Sequence, residues 1–381
     1  VAVIDSGIDP SHPDLASKLS GVSQFFDPNS VPAGARSADP PTPACNHATR
    51  VAGVAAAASD NGVGIAGVSW GARLISLKVF SDADCDQDCS NVTCETDDAT
   101  IVKAIQYATG LHNSASTGKI VINLSIGENK ACSSSPLLQA ALTAATTTGV
   151  MVVAAAGNSA SAGVDSPANC AGVLAVGAVD SGDLLASFSA RGGDMTGGGV
   201  VAPGVGVYTT DLYGSYAYAD GTSFSSPFVA GLAALMWSAN PALSNTNITN
   251  YIRSSAADRG ASGPDYMYGY GRVDVFKAML YAVNGSAAGY TQRPELAKAY
   301  AYPNPCSFAS GRPLSFSVPP DILGSELEVS IFTQEGERVR KVSGATWDGK
   351  NEAGTKAASG VYLFIMKTDK GTAKGKFAVL R

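Results

Sequence analysis

Val1-Ala2-Val3-Ile4-Asp5-Ser6-Gly7 is the stretch whose reading decides the fold: four apolar residues without polar alternation, then a carboxylate, then a turn. Similar short runs rich in Val, Ile and Ala recur at 74–79, 120–124, 150–155 and 173–179. Helical patterns lie between several of them, at 49–58, 99–112, 136–148 and 223–239. A strand that is apolar on both faces must be covered on both faces. Strands of this kind separated by helices predict an α/β fold, a mostly parallel sheet flanked by helices. In such sheets the working side chains gather beyond the carboxyl ends of the strands, where Asp5 stands.

This texture defines a first domain over 1–283. The stretch 284–297, NGSAAGYTQRPELA, has no periodicity and carries Gly, Ser and Pro, so it reads as a linker. Beyond it, 298–381 holds short alternating segments at 314–318, 326–332 and 360–367, with a turn signal at Asp348-Gly349 and no helical pattern of useful length. That pattern predicts a small all-β sandwich.

Composition removes several classes of function. The net charge of −6 offers nucleic acid no basic footprint. No apolar run approaches the ~20 residues of a membrane span. Because the chain opens directly on a core strand, an upstream segment is expected to have been removed or left out, and an inhibitory propeptide within that segment is a candidate partner. Seven cysteines are present, and Cys45, Cys85, Cys89 and Cys94 crowd around one inserted loop at 81–95, which is expected to border the substrate channel. Metal ligation and disulfides are both open readings of that crowd. The three histidines do not stand at zinc-site spacing from it, which favours disulfides and an oxidising compartment. An odd count leaves one thiol over, and Cys306 is its natural candidate.

The chemistry is carried by four residues. Gly221-Thr222-Ser223 precedes Phe224-Ser225-Ser226-Pro227 and an apolar helical run, which puts a serine hydroxyl at a helix start, where the dipole favours developing negative charge. A serine hydroxyl is a weak nucleophile without a neighbouring base. His47 opens the helical segment HATRVAGVAAAA. His12 sits in a turn and His112 at a polar helix end, so His47 is the base if histidine activates Ser223. Asp5 would then fix the tautomer of His47 and stabilise its imidazolium. Asp, then His, then Ser is one of the chain orders in which such triads occur. Asn158, delivered by the small-residue run 152–157, is the candidate side-chain donor to an oxyanion, although an Asn after Gly is also ordinary turn chemistry.

AVIDSGIDPSHPDL, HATRVAG, INLSIG, VVAAAGN and GTSFSSPFVAG together resemble the subtilisin-like serine proteases, in the correct order and over roughly 1–283. The resemblance implies a secreted, bacterial, extracellular serine endopeptidase with Asp5, His47 and Ser223 as triad and Asn158 in the oxyanion hole. Ser125-Ile126-Gly127 would be the edge that binds a polypeptide substrate in extended conformation. No cofactor is required for the chemistry it implies. Structural calcium through Asp14 and Asn61, in the loop 59–65, is one reading of those residues, and turn-capping Asp and Asn is the other. The resemblance also implies a bridge from Cys132 to Cys170, and a partner for Cys45 in the inserted loop, with the connectivity of those four left open.

Two positions depart from the family pattern. Its usual His-Gly-Thr-His appears here as His47-Ala48-Thr49-Arg50, which puts an added methyl and a permanent charge beside the site. A catalytically impaired subtilase-fold binding or scaffold protein is therefore the alternative function. A lipase or esterase of the α/β-hydrolase type would need Gly-x-Ser-x-Gly, and Ser225 stands where its second glycine belongs. In the C-terminal stretch, YPNP (302–305), WDGKN (347–351) and ASGVY (358–362) resemble the Ig-like module named from the flagellar hook-capping protein, which suggests association with the cell surface.

Overall fold

The structure, a computed structural model, describes residues 1–26, 36–37, 42–160, 163–287, 299–308, 313–319, 322–334 and 336–380. The chain divides into two compact units, Val1–Ala288 and Gly289–Arg381.

In the first unit, β1 (Ala2–Asp5), β2 (Gln24–Phe26), β3 (Arg36–Ser37), β4 (Ile75–Lys78), β5 (Val121–Leu124), β6 (Met151–Ala155), β7 (Leu174–Val179) and β8 (Val200–Pro203) form one sheet, in the order β3-β2-β4-β1-β5-β6-β7-β8. All pairings are parallel except β2 with β3. The helices are α1 (His47–Ala56), α2 (Asp98–Leu111), α3 (Pro136–Thr148), α4 (Gly193–Gly198), α5 (Thr222–Ala239), α6 (Asn245–Ser255) and α7 (Val275–Asn284). Alternate residues of each strand serve opposite cores. Val3, Val121, Val153 and Val176 pack with α1, α5, α6 and α7 on one face, while Ile4, Leu77, Ile122 and Val152 pack with α2 and α3 on the other. This double burial is what the unbroken apolar runs required.

The chain leaves β1, returns through α1 to β4 on one side of it, then passes through α2 to β5 on the other side. The strand order therefore reverses at β1, and the carboxyl ends of β1, β5 and β6 open on one crevice. A two-stranded antiparallel ribbon, β9 (Val207–Thr210) and β10 (Tyr216–Ala219), precedes α5. The linker expected over 284–297 begins inside α7, at Asn284, and its positions 288–297 lie outside the described residues.

The second unit has no α-helix among its described residues. Its strands are β11 (Tyr300–Tyr302), β12 (Cys306–Ser307), β13 (Leu314–Ser317), β14 (Leu327–Phe332), β15 (Arg338–Ser343), β16 (Thr346–Trp347), β17 (Gly360–Thr368) and β18 (Thr372–Leu380). They form a five-stranded sheet, β12-β18-β17-β14-β15, and a three-stranded sheet, β11-β13-β16. Strict alternation on β14 and β17 sends Val329, Ile331, Tyr362, Phe364 and Met366 inward to Phe316, Trp347 and Phe377. Cys306 is buried there as a free thiol.

The approach of α5 to α1 depends on Gly231. A Cβ at that position would meet the Ala55 carbonyl oxygen at 2.7 Å and Val68 Cβ at 2.9 Å. Gly231→Leu is expected to lower the unfolding free energy by about 1–3 kcal/mol through overpacking, read as a shifted urea midpoint by circular dichroism. A midpoint equal to that of the parent would contradict this packing.

Candidate active site

Asp5 ends β1 and is 1% exposed. A buried carboxylate is costly unless its oxygens are satisfied, and here the Ser6 N–H donates to Oδ1 at 2.6 Å while His47 Nδ1 lies 2.9 and 3.0 Å from the two oxygens. With a carboxylate at Nδ1, that nitrogen carries the proton and Nε2 is left to accept another. Ser6 couples the strand end to the helix start, since its hydroxyl accepts from the Ala48 N–H at 3.1 Å. Burial lowers the pKa of His47, the charge and hydrogen bond of Asp5 raise it, and Arg50 lowers it; the balance is upward from 6.5.

Ser223 lies in the first turn of α5, and its position is fixed through Pro227. Proline has no N–H, so the Ser223 carbonyl loses its helical partner. Ser125 supplies the replacement: its hydroxyl donates to the Ser223 carbonyl at 2.8 Å, and the Ser223 hydroxyl donates to the Ser125 carbonyl at 3.3 Å. Asn123, fully buried on β5, donates to the Ser125 hydroxyl at 3.0 Å and accepts from Ser226 at 2.7 Å. The helix start is thus tied to the end of β5 by buried polar bonds. Sequence reasoning singled out Ser223 and Ser125 but missed Asn123 and Ser226. Their signal was polarity inside an apolar run.

His47 is therefore bonded to Asp5 but not to Ser223, whose hydroxyl rests on Ser125. The imidazole lies beside the helix start, its ring centre 6.0 Å from that of Phe224. Triads without substrate often hold this last bond open.

Asn158 follows the end of β6 and is exposed. Its Oδ1 accepts from the backbone N–H and the hydroxyl of Thr222, each at 2.9 Å, and the Thr222 hydroxyl also accepts from the Gly157 N–H at 3.1 Å. With the carbonyl end fixed, the amide nitrogen is free to donate. It faces Gly221, where a Cβ would stand 3.5 Å from Nδ2 and where φ of 146° suits glycine. Thr222, unnoticed in the sequence, orients this amide.

Asp5, His47 and Ser125-Ile126-Gly127 line a cleft of about 470 Å³ that continues along Glu95, Asp98, Lys130 and Ser166. Disulfides brace its walls. Cys45–Cys89 fastens the insert beside His47, Cys85–Cys94 closes the insert on itself, and Cys132–Cys170 joins the two segments that flank the cleft's far side. Cys89 and Cys94 line the cleft, so the insert borders it.

The departures from the histidine motif are accommodated. The Ala48 methyl is buried in the core, and Arg50 pairs with Asp211 at 2.6 Å. Asp14 and Asn61 lie together, but Asp14 is wholly buried and its oxygens accept from Asn61 Nδ2 at 2.7 Å, the Ile65 N–H at 2.9 Å and the Tyr216 hydroxyl at 2.9 Å. A cation needs oxygen donors, whereas these neighbours present N–H and O–H groups. As arranged, the site fits a hydrogen-bonded carboxylate and not calcium.

A model of the subtilase family matches residues 1–271. The thermophilic serine proteinase of Bacillus sp. (strain AK1) is 39% identical over 281 residues, which cover 74% of this chain and 61% of that protein. Subtilisin DY of Bacillus licheniformis is 38% identical over 284 residues (72% and 88%), and thermitase of Thermoactinomyces vulgaris 34% over 281 (74% and 88%). Among solved structures, the S41 psychrophilic protease is similar, with a TM-score of 0.61 and 32% identity over 72% of this chain and 90% of that one.

The balance of charges on His47 sets two opposite expectations. Arg50→Gln removes a lowering influence, so the imidazole pKa should rise further. Asp5→Asn removes both raising influences, so it should fall below 6.5. Ring-proton NMR titration reads both, and shifts in the same direction would contradict the assignment.

Proposed function

This chain belongs to the subtilase family, and from that premise we propose that it is a serine endopeptidase. The observation that carries the reading is the buried Asp5–His47 pair beside a helix start that holds Ser223.

A polypeptide would lie extended against Ser125-Ile126-Gly127, adding its backbone to that edge. As it binds, the Ser223 hydroxyl turns from the Ser125 carbonyl to His47 Nε2, a change of rotamer. Its oxygen attacks the scissile carbonyl carbon while its proton passes to Nε2, and Asp5 stabilises the resulting imidazolium. The carbonyl electrons move onto oxygen, which receives the Asn158 amide and the Ser223 backbone N–H at the positive end of α5. Collapse breaks the C–N bond, and the leaving amine takes the proton from Nε2. Water then attacks the Ser223 ester in the same way and returns the free hydroxyl.

Three disulfides in the described chain support an extracellular setting, and no described helix is long and apolar enough to cross a membrane. The proposal carries no calcium at Asp14 and Asn61, given the donors found there. It does not extend to a silent scaffold either, because Ala48 and Arg50 leave the His47–Asp5 pair closed. The second unit is proposed as an Ig-like module of the hook-cap type on its motifs alone, with no part in the chemistry.

A fluorophosphonate probe is expected to add its mass to the peptide containing Ser223, and His47→Ala to abolish that labelling. Ser223→Ala should lower kcat by about 10⁶-fold and Asn158→Ala by about 10²–10³-fold, scales taken from subtilisin itself. With the His47 pKa raised, kcat/KM should fall as pH drops through a value above 6.5. Folded protein that neither labels nor cleaves casein would overturn the proposal.

A further inference from the structure

A buried carboxylate stands behind the two backbone segments that flank Ser223. Ser125-Ile126-Gly127 leaves β5 from the carbonyl that holds the Ser223 hydroxyl, and Ala156-Gly157-Asn158 leaves β6 toward Thr222. Asp165 stands behind both. Its N–H bonds the Ala156 carbonyl at 2.9 Å, and the next residue, Ser166, exchanges two 2.9 Å backbone bonds with Glu128. Its side chain faces two glycines. A methyl built on Gly127 would lie 3.7 Å from Asp165 Oδ2, and one on Gly157 only 2.2 Å from it. Glycine at both places leaves the carboxylate against the two backbone segments that flank the nucleophile.

Asp165 is 8% exposed, and its Oδ1 has no hydrogen-bond partner among the described residues. Burial pushes its pKa up, and no neighbouring charge offsets that. Lys130, the cation that lines the cleft, is engaged by Glu128 at 2.7 Å and Asp98 at 3.1 Å. An unpaired buried carboxylate oxygen is costly. Among the described residues, the other buried carboxylates of this unit, Asp5, Asp9 and Asp14, have protein partners at both oxygens. Among the described residues only Asp165 has a carboxylate oxygen left wanting, and it stands behind Gly127, on the edge that lines the cleft.

We propose that Asp165 determines specificity for the residue on the acyl side of the scissile bond, and that it selects lysine or arginine, whose cation supplies the carboxylate's absent partner. This inference rests on the proteolytic reading above and names its substrate class. The methylene stem of either side chain can run between the two glycine-bearing segments while its head reaches the acid. An apolar side chain of similar length would leave Asp165 unpaired, and an acidic one would oppose it. Discrimination by an unpaired buried polar group is stronger than discrimination by shape.

The test compares kcat/KM on three peptide p-nitroanilides that differ only in carrying lysine, phenylalanine or glutamate next to the anilide. The wild type is expected to favour lysine over phenylalanine by at least about 30-fold, the scale of a buried charge pair, with glutamate last. Asp165→Asn is expected to reduce the lysine-to-phenylalanine ratio by a similar factor, in protein whose circular dichroism matches the parent. The wild-type ratio needs no variant and stands by itself. A wild-type preference for phenylalanine, or a ratio unchanged in Asp165→Asn, would overturn the inference and leave proteolysis intact. No turnover of any of the three substrates would overturn both.

Discussion

A proline at the sixth position of a buried helix organises this molecule. Pro227 frees the Ser223 carbonyl from its own helix, and the Ser125 hydroxyl, just past the end of β5, donates to it instead. The exchange of bonds between Ser125 and Ser223, reinforced by Asn123 and Ser226, means that α5 can start in one place only. Each of these groups is in or near the core, where an unmade hydrogen bond costs about 1–3 kcal/mol. The same constraint binds two chemically distinct parts, a nucleophile and the edge along which a substrate would lie.

The other half of the site is set by Asp5. The double-faced sheet forces β1 into the interior, so the residue that ends it must find partners. Ser6 and His47 provide them. His47 is brought there because α1 packs on the same face of the sheet as α5, with contact permitted by Gly231. Two helix starts and one strand end thus meet at the point where the strand order reverses, and the disulfide from Cys45 holds the neighbouring insert against them. The geometry follows from packing; the histidine's raised pKa follows from the geometry.

Much of this was legible in the sequence because the relevant signals are local. Unalternating apolar runs announce buried strands, and Asp5, His47 and Ser223 each sit at an element's end. What was not legible acts through contacts between distant segments. Asn123 and Ser226 read as polar residues in apolar runs until their bond appears. Thr222 reads as part of a helix start, yet it holds Asn158. Asp165, in the run Val164-Asp165-Ser166-Pro167, carries no local sign that its side chain is buried between two glycines. Asp14 and Asn61 show the converse. Their residue types suit a cation, while the donors that surround Asp14 suit a hydrogen-bonded acid. The short ribbon of β9 and β10 was missed because its strands are half-exposed and only four residues long.

The central claim is that Asp5, His47 and Ser223 act as one unit although the resting hydroxyl is turned toward Ser125. A double-mutant cycle on kcat with His47→Ala and Ser223→Ala tests it most directly. If the two work through one proton transfer, the double variant should be no slower than either single variant. Losses that instead multiply would mean that the histidine and the serine act independently, and the account of this site would be wrong.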